Sequence, residues 1–127
     1  MNTQAKATIV VGASDKEDRY SNKAIRMLGE YGHPVVGVHP KLVAVGEVKV
    51  LPDLESAQQF LGKVDTVTLY VGAAKSSSLL DELLALRPRR VVFNPGAENQ
   101  ELFTVLRANG IEVLEACTLV LLRTGAY

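Results

Sequence analysis

Short apolar runs alternate with amphipathic stretches along the 127 residues of this chain. Residues 7–11 (ATIVV) and 34–38 (PVVGV) are continuous apolar runs, which are typical of strands buried on both faces of a parallel sheet. Comparable runs follow further along the chain, at 47–51, 65–71, 90–94 and 111–115. The pattern therefore predicts six strands.

Between these runs the apolar residues lie three or four positions apart, which predicts helices. Residues 21–32 form the first, with Ser21 as its N-cap and Gly32 at its end. Ser78 and Asp81 resemble a capping box ahead of another helix at 79–86. The remaining predicted helices are 54–62 (capped by Asp53), 99–110 and a short one within 117–125.

Strands separated by helices of this length indicate parallel βαβ units with right-handed crossovers. The chain is therefore predicted to be a three-layer, doubly wound α/β protein with a mainly parallel sheet. Its expected strand order is 3-2-1-4-5-6, within one domain that spans residues 1–127. Ligands of such sheets bind outside the carboxyl ends of the strands, where the order reverses. The loops at 12–20 and 71–77 should meet there.

Composition narrows the function classes. The 14 basic and 14 acidic residues balance, so neither a nucleic-acid surface nor an anionic-membrane surface is expected. The single cysteine excludes an internal disulfide and a multi-cysteine zinc site. Residues 1–8 lack the apolar core of a signal peptide, and no apolar run approaches the roughly 20 residues of a membrane span. A cytoplasmic protein is expected.

The segment after the first strand has features of a phosphate-binding loop. A glycine allows a sharp turn, small residues leave the backbone accessible, and the helix that follows offers free N–H groups and a positive dipole end. The alternative is a plain strand-end turn followed by an ordinary N-cap. The candidate ligand contacts in this segment are Gly12, Ala13, Ser14, Arg19, Ser21 and Asn22.

The segment after the second strand discriminates between ligands. Dinucleotide-binding folds place an acidic residue here for the ribose hydroxyls, but this chain has His39, Pro40 and Lys41, and no carboxylate before Glu47. A cation at this position suits an adenosine with a phosphate on its ribose, as in coenzyme A or NADP. Pro40 offers a flat apolar face for adenine. The alternative is a solvent-exposed Lys41 in a turn.

Two further strand ends border the predicted crevice. Small residues follow the fourth strand, where a ligand would pass between the central loops, and a tight turn follows the fifth. Turn formation alone also explains the glycines and the proline. The candidate contacts are Val71, Gly72 and Ala73 after the fourth strand, and Asn94, Pro95 and Gly96 after the fifth.

With "GAS" at 12–14, "RYSN" at 19–22 and "HPK" at 39–41, the chain resembles the stand-alone coenzyme A-binding domain family. These are small Rossmann-like proteins similar to the N-terminal domain of the succinyl-CoA synthetase α subunit. The resemblance covers residues 6–117. It implies that the glycine loop and helix start hold the CoA pyrophosphate, that residues 39–41 meet the 3′-phosphoadenosine, and that the loop at 71–74 borders the adenine and pantetheine path.

No catalytic or metal-binding group is predicted. Cys117 lies just past the last strand, and only His39 of the two histidines is on the ligand side. A Cys117–His39 pair is conceivable, but a small half-buried cysteine is the simpler interpretation. His33 is interpreted as a polar residue at a strand start.

The leading hypothesis is a non-catalytic binder of CoA or an acyl-CoA, acting as a sensor, a carrier or a detached subunit, with a homodimer or partner protein possible. One alternative is an NADP- or other nucleotide-dependent enzyme completed by a partner chain. Another is an interaction module with a vestigial pocket, whose partner or dimer surface would be formed by residues 119–122.

Overall fold

Within residues 4–127, which the computed structural model describes, seven strands form one sheet. Residues 1–3, which open the predicted domain and the segment without signal-peptide character, lie outside the described residues. The elements in chain order are β1 (Thr8–Val11), α1 (Tyr20–Glu30), β2 (Val35–Val38), β3 (Ala44–Val45), β4 (Val48–Leu51), α2 (Leu54–Leu61), β5 (Thr66–Leu69), α3 (Ala73–Ser77), α4 (Leu80–Leu86), β6 (Arg90–Phe93), α5 (Gln100–Ala108), β7 (Glu112–Glu115) and α6 (Thr118–Arg123).

The strand order is β3-β4-β2-β1-β5-β6-β7. The six predicted strands lie in the predicted order and are all parallel, with Ile9 of β1 opposite Val36 of β2 and Val67 of β5. The predicted order was wrong in omitting β3, which pairs antiparallel with β4 at one edge. Two residues are too short to show a periodicity, and the turn between the strands depends on Gly46 at φ +58°.

The core has two halves because successive residues of a strand face opposite sides of the sheet. Ile9 and Val11 of β1 join the apolar cluster under α2, α4 and α5, whereas Val10 joins the one under α1 and α6. Both clusters are fully buried at their centres, and each buried Ile, Leu or Val contributes about 1.5–3 kcal/mol. The doubly wound, three-layer α/β arrangement is therefore confirmed.

Of three helix caps predicted from the sequence, the structure confirms one and contradicts two. Asp53 caps α2 as predicted, since its carboxylate accepts a hydrogen bond from the Ser56 N–H at 2.8 Å. Ser21 is not an N-cap: α1 begins at Tyr20, and the cap position belongs to Arg19, which has no side-chain acceptor. Ser78 does not cap α4 either, because its hydroxyl donates to the carbonyl of Lys75 at 2.6 Å and closes α3.

The segment at 119–122 is mostly internal. Leu119 is 5% exposed and Leu122 is 2% exposed, whereas Val120 points to solvent with 51% exposed. Interior leucines count against the interaction module. None of the helices in the described part of the chain has the length and apolar character needed to cross a membrane.

A cluster of polar and aromatic side chains closes the sheet near the start of β1. His33 is 4% exposed, and its Nδ1 accepts a hydrogen bond from the Lys6 N–H at 2.9 Å. Its ring lies 4.9 Å from that of Tyr127, whose hydroxyl shares a 2.6 Å hydrogen bond with Thr8. The Arg90 guanidinium lies over the Tyr127 ring, 4.3 Å from its centre. His33 is therefore a core residue, not a simple polar residue at a strand start.

Candidate functional site

A cleft lies at the carboxyl ends of β1, β2 and β5, where the sheet order reverses. It consists of two pockets, of about 400 Å³ and 180 Å³, that share Gly12. The larger pocket opens toward the start of α1 and is called the phosphate pocket below. The smaller one, between the ends of β2 and β4 and the helices α3 and α4, is called the apolar pocket.

Gly12 has the backbone conformation that the predicted loop requires. Its φ is +90°, and a Cβ atom at this position would lie 2.9 Å from Cγ1 of Val71 and 3.1 Å from the carbonyl oxygen of Tyr70. The N–H groups of Gly12 and Ala13 both donate to the Val38 carbonyl, at 3.0 and 3.2 Å. These two residues therefore shape the loop, and their N–H groups are already occupied.

The unoccupied donors lie at the start of α1. No described residue accepts a hydrogen bond from the backbone N–H of Tyr20, Ser21 or Asn22, whereas the N–H of Lys23 is the first to donate within the helix turn, to Arg19. Three aligned N–H groups and the helix dipole favour an anion here. The residues that line the phosphate pocket are Gly12, Ser14, Asp18, Arg19, Tyr20, Ser21 and Tyr70.

The Asn22 side chain points into the loop and not into the pocket. It is 3% exposed; its Nδ2 donates to the Ser14 carbonyl at 2.9 Å, and its Oδ1 accepts from Nε of Arg26 at 2.8 Å. Arg26 also donates to the Glu17 carbonyl, at 3.0 Å. Sequence reasoning missed Arg26, although its position four residues after Asn22 on one helix was the available signal.

The apolar pocket lies beside the segment after β2. His39 and Pro40 form part of its wall, together with Leu54, Val71 and Leu79. Their contact with a ligand stays a prediction. The Nδ1 atom of His39 accepts hydrogen bonds from the N–H groups of residues 41 and 42, both at 3.0 Å, and thereby fixes the turn.

The charges around the apolar pocket differ from those expected. Lys41 is exposed and is not among the residues lining either pocket, whereas Lys75 of α3 is on the wall of the apolar pocket. Asp53 and Glu82 also reach this wall. Hydrogen bonds from Ser56 lower the pKa of Asp53 and keep its carboxylate charged. Lys75 lies within the predicted loop at 71–77, but no pattern in the sequence distinguished it from the other residues of that loop.

The other predicted contact residues do not all line the two pockets. Gly72 precedes α3, and its carbonyl accepts from the N–H groups of Lys75 and Ser76 at 3.1 and 2.9 Å. Ala73 is exposed and lines neither pocket, and the same is true of Pro95 and Gly96.

Asn94 is 1% exposed, and its amide is fully engaged inside the protein. The Nδ2 atom donates to Oγ1 of Thr68 at 2.6 Å and to the Leu69 carbonyl at 2.9 Å, and Oδ1 accepts from the Thr118 N–H at 2.8 Å. Asn94 therefore joins β5 and β6 to the start of α6. Its predicted ligand contact stays a prediction.

Three groups bear on whether the described residues could form a catalytic or metal site. Cys117 is half-buried at the start of α6, and no hydrogen bond joins it to His39 within residues 4–127. The Tyr70 hydroxyl is buried without a hydrogen-bond partner in that range, and burial raises its pKa, so it stays protonated. No three His, Cys, Asp or Glu residues of the described chain are grouped to hold a metal ion.

Comparison with known proteins gives the chain a family. No curated protein sequence matches it. The family described as "CoA binding domain" matches residues 6–123. A crystal structure of an uncharacterized protein is 35% identical, with a TM-score of 0.87, over 98% of this chain and 100% of that one.

Two more distant structures show the fold alone. A hypothetical protein from Pyrococcus horikoshii OT3 is 24% identical, with a TM-score of 0.83, over 92% of this chain and 81% of that one. The dinucleotide-forming acetyl-coenzyme A synthetase 1 of Ca. Korarchaeum cryptofilum is 22% identical, with a TM-score of 0.70, over 88% of this chain but 26% of the synthetase. The family match covers nearly the whole chain, and the chain therefore belongs to the CoA binding domain family.

Proposed function

We propose that this protein binds coenzyme A or an acyl-CoA in the cleft and performs no chemistry on it. The observation that carries the proposal is the pairing of the two pockets across Gly12. One offers unoccupied helix N–H groups, and the other is mostly apolar. CoA would use both pockets, because its pyrophosphate is joined to an adenosine and the two groups need a polar and an apolar site side by side.

In the phosphate pocket, the N–H groups of Tyr20, Ser21 and Asn22 are the proposed donors to the pyrophosphate. Helix N-termini stabilise such anions through both hydrogen bonds and the dipole. Arg19, exposed on the pocket wall, adds a charge-assisted bond.

In the apolar pocket, Pro40 and the aliphatic side chains of Leu54 and Leu79 are the proposed surfaces for adenine. A volume of about 180 Å³ with polar groups at its edge suits a planar base. Lys41, which follows the wall residue Pro40, and Lys75, on the wall, are the cations proposed to contact a ribose phosphate.

The absence of chemistry is proposed because the described cleft holds no nucleophile–base pair. Its residues instead make bonds that fix loops, as His39 does. A carrier, a sensor or a detached subunit of a larger assembly would each need only binding. The similarity in fold to one quarter of an acetyl-coenzyme A synthetase supports the last of these. A single domain and a cytoplasmic location both stay predictions.

A second candidate ligand class rests on Asp53 and Glu82. Carboxylates beside an adenosine pocket suit ribose hydroxyls, as in NAD-type recognition, and disfavour a phosphate on the same ribose. This observation supports a nucleotide-dependent enzyme whose catalytic groups come from a partner chain.

Thermal unfolding with five ligands tests the proposal: CoA, acetyl-CoA, dephospho-CoA, NAD and NADP. A ligand present at 100 times its dissociation constant should add about 2.7 kcal/mol of stability. We expect stabilisation by CoA and acetyl-CoA, and a weaker effect of dephospho-CoA. Stabilisation by NAD without CoA would instead favour the second candidate, and stabilisation by NADP without CoA would overturn CoA as the ligand.

A further inference from the structure

The phosphate pocket is bordered by a loop, residues 14–19, that is bonded from behind by two side chains of α1. Asn22 and Arg26 lie one helical turn apart and are joined by the 2.8 Å bond from Nε to Oδ1. Asn22 bonds the Ser14 carbonyl at 2.9 Å, and Arg26 bonds the Glu17 carbonyl at 3.0 Å. The loop therefore has two bonds to one connected pair of side chains.

These bonds fix the direction of two peptide groups. In a trans peptide the C=O and the following N–H point in opposite directions. With the carbonyls of Ser14 and Glu17 bonded to the Asn22–Arg26 pair, the N–H groups of Asp15 and Asp18 point away from that pair. Both negative carbonyl ends are thus held by donors, and Asp18 lies on the wall of the phosphate pocket.

The loop has few other restraints. It carries three acidic residues, Asp15, Glu17 and Asp18. Asp18 is already on the pocket wall, and the charges of Asp15 and Glu17 would further oppose an anion if the loop turned toward the pocket. Arg19 N–H bonds the Lys16 carbonyl at 3.1 Å, and Lys16 N–H bonds Oγ of Ser14 at 3.1 Å, but both bonds lie within the loop itself. The backbone bond from the Lys23 N–H to the Arg19 carbonyl, at 3.1 Å, holds only the end of the loop. The side-chain attachment to α1 comes from Asn22 and Arg26.

We propose that Arg26 is a positioning residue, which acts through Asn22 and the Glu17 carbonyl to hold loop 14–19 in the conformation that leaves the start of α1 open to a ligand phosphate. This inference rests on the proposed function for the identity of the ligand. It does not require Arg26 to touch that ligand. The role needs a planar guanidinium, because one side chain must donate in two directions.

Amide hydrogen exchange of the free protein tests the restraint without any ligand. Arg26→Gln should raise the exchange rates of the amides in residues 14–19 while leaving those of β1 and β5 unchanged. Arg107→Gln is the matched control, an exposed helical arginine on α5 for which the described chain offers no side-chain hydrogen bond. Equal loop exchange in Arg26→Gln and the wild-type protein would overturn the proposal.

CoA titration tests the consequence. Arg26→Gln should weaken CoA binding about tenfold, because the loop loses a restraint comparable in free energy to roughly one charge-assisted hydrogen bond. Arg26→Lys keeps the positive charge but cannot donate in both directions. Its affinity for CoA should therefore be nearly as low as that of Arg26→Gln. Full affinity in Arg26→Lys would show that the charge alone matters and would overturn the positioning role. If CoA fails to bind the wild-type protein, the proposed function is wrong. The hydrogen-exchange measurement still tests whether Arg26 restrains the loop, because it uses no ligand.

Discussion

Ala13 lies so close above Gly37 that a methyl group on Gly37 would come within 2.7 Å of the Ala13 Cβ. The loop after β1 therefore rests directly on the backbone of β2. The contact is adjacent to the 3.2 Å bond from the Ala13 N–H to the Val38 carbonyl. Any side chain at position 37 would have to move the loop or the strand.

We predict that Gly37→Ala lowers the free energy of unfolding by roughly 1–3 kcal/mol, because added volume in a packed site forces backbone shifts. It should also weaken CoA binding, since Ala13 leads into the phosphate pocket. Chemical denaturation and calorimetric titration measure the two effects. Gly29→Ala is the control: a Cβ there meets nothing within 4 Å, and the substitution should add about 0.5–1 kcal/mol of stability. Unchanged stability in Gly37→Ala would contradict the close contact.

The two lysines near the apolar pocket make separable predictions. If Lys75 contacts the ribose phosphate, Lys75→Ala should reduce CoA affinity about tenfold and leave dephospho-CoA affinity unchanged, as expected for a lost charge-assisted bond. If Lys41 makes the contact, Lys41→Ala should show that pattern instead. Titration of both variants with both ligands decides between them. Equal losses for CoA and dephospho-CoA would exclude a phosphate contact for the lysine concerned.

Stability should fall as the solution becomes mildly acidic because of His33. Burial, reinforced by the charges of Lys6 and Arg90, lowers the pKa of His33 below its ordinary value of 6.5. The folded state thus binds the proton less readily than the unfolded state, so the contribution of His33 is complete above pH 6.5 and declines as the pH falls through 6.5 toward the folded-state pKa.

Urea denaturation at pH 7.5 and pH 5 measures the His33 effect. The decrease in unfolding free energy between these two values should shrink in His33→Gln, which cannot titrate. It should persist in Arg107→Gln, an exposed substitution that removes no histidine. An undiminished decrease in His33→Gln would assign the pH dependence to other groups.

We predict that the main role of Asn94 is to stabilise the folded state. Asn94→Ala removes three buried hydrogen bonds, which should cost about 3 kcal/mol. The Thr118 N–H loses its acceptor, whereas Thr68 Oγ1 keeps its bond to Thr118 Oγ1 and the Leu69 carbonyl keeps the backbone N–H of residue 94. Asn109→Ala, which removes one exposed bond to the Val105 carbonyl, should cost well under half as much. Denaturation of both variants provides the comparison. Similar losses would mean that the buried network contributes little.

The strands could be predicted from the sequence because buried parallel strands appear as uninterrupted apolar runs, as in residues 7–11. The cleft could be located because strand order alone determines where the loops meet. The roles of Asn22 and Asn94 could not be predicted in the same way. An asparagine at a strand or helix end can either face a ligand or bond a neighbouring carbonyl. The sequence is the same in both cases, and only the tertiary arrangement distinguishes them. Gly37 was overlooked for a related reason, since a glycine within an apolar run does not reveal what packs above it.

The shared boundary of the two pockets at Gly12 suggests a route to synthetic ligands. A small fragment seated in each pocket could be covalently tethered across this residue, which lines both pockets. A short tether would give the second fragment a high effective concentration once the first is bound, so two weak fragments would combine into a tight ligand. Such a bidentate compound would probe the cleft without any part of the natural thiol arm.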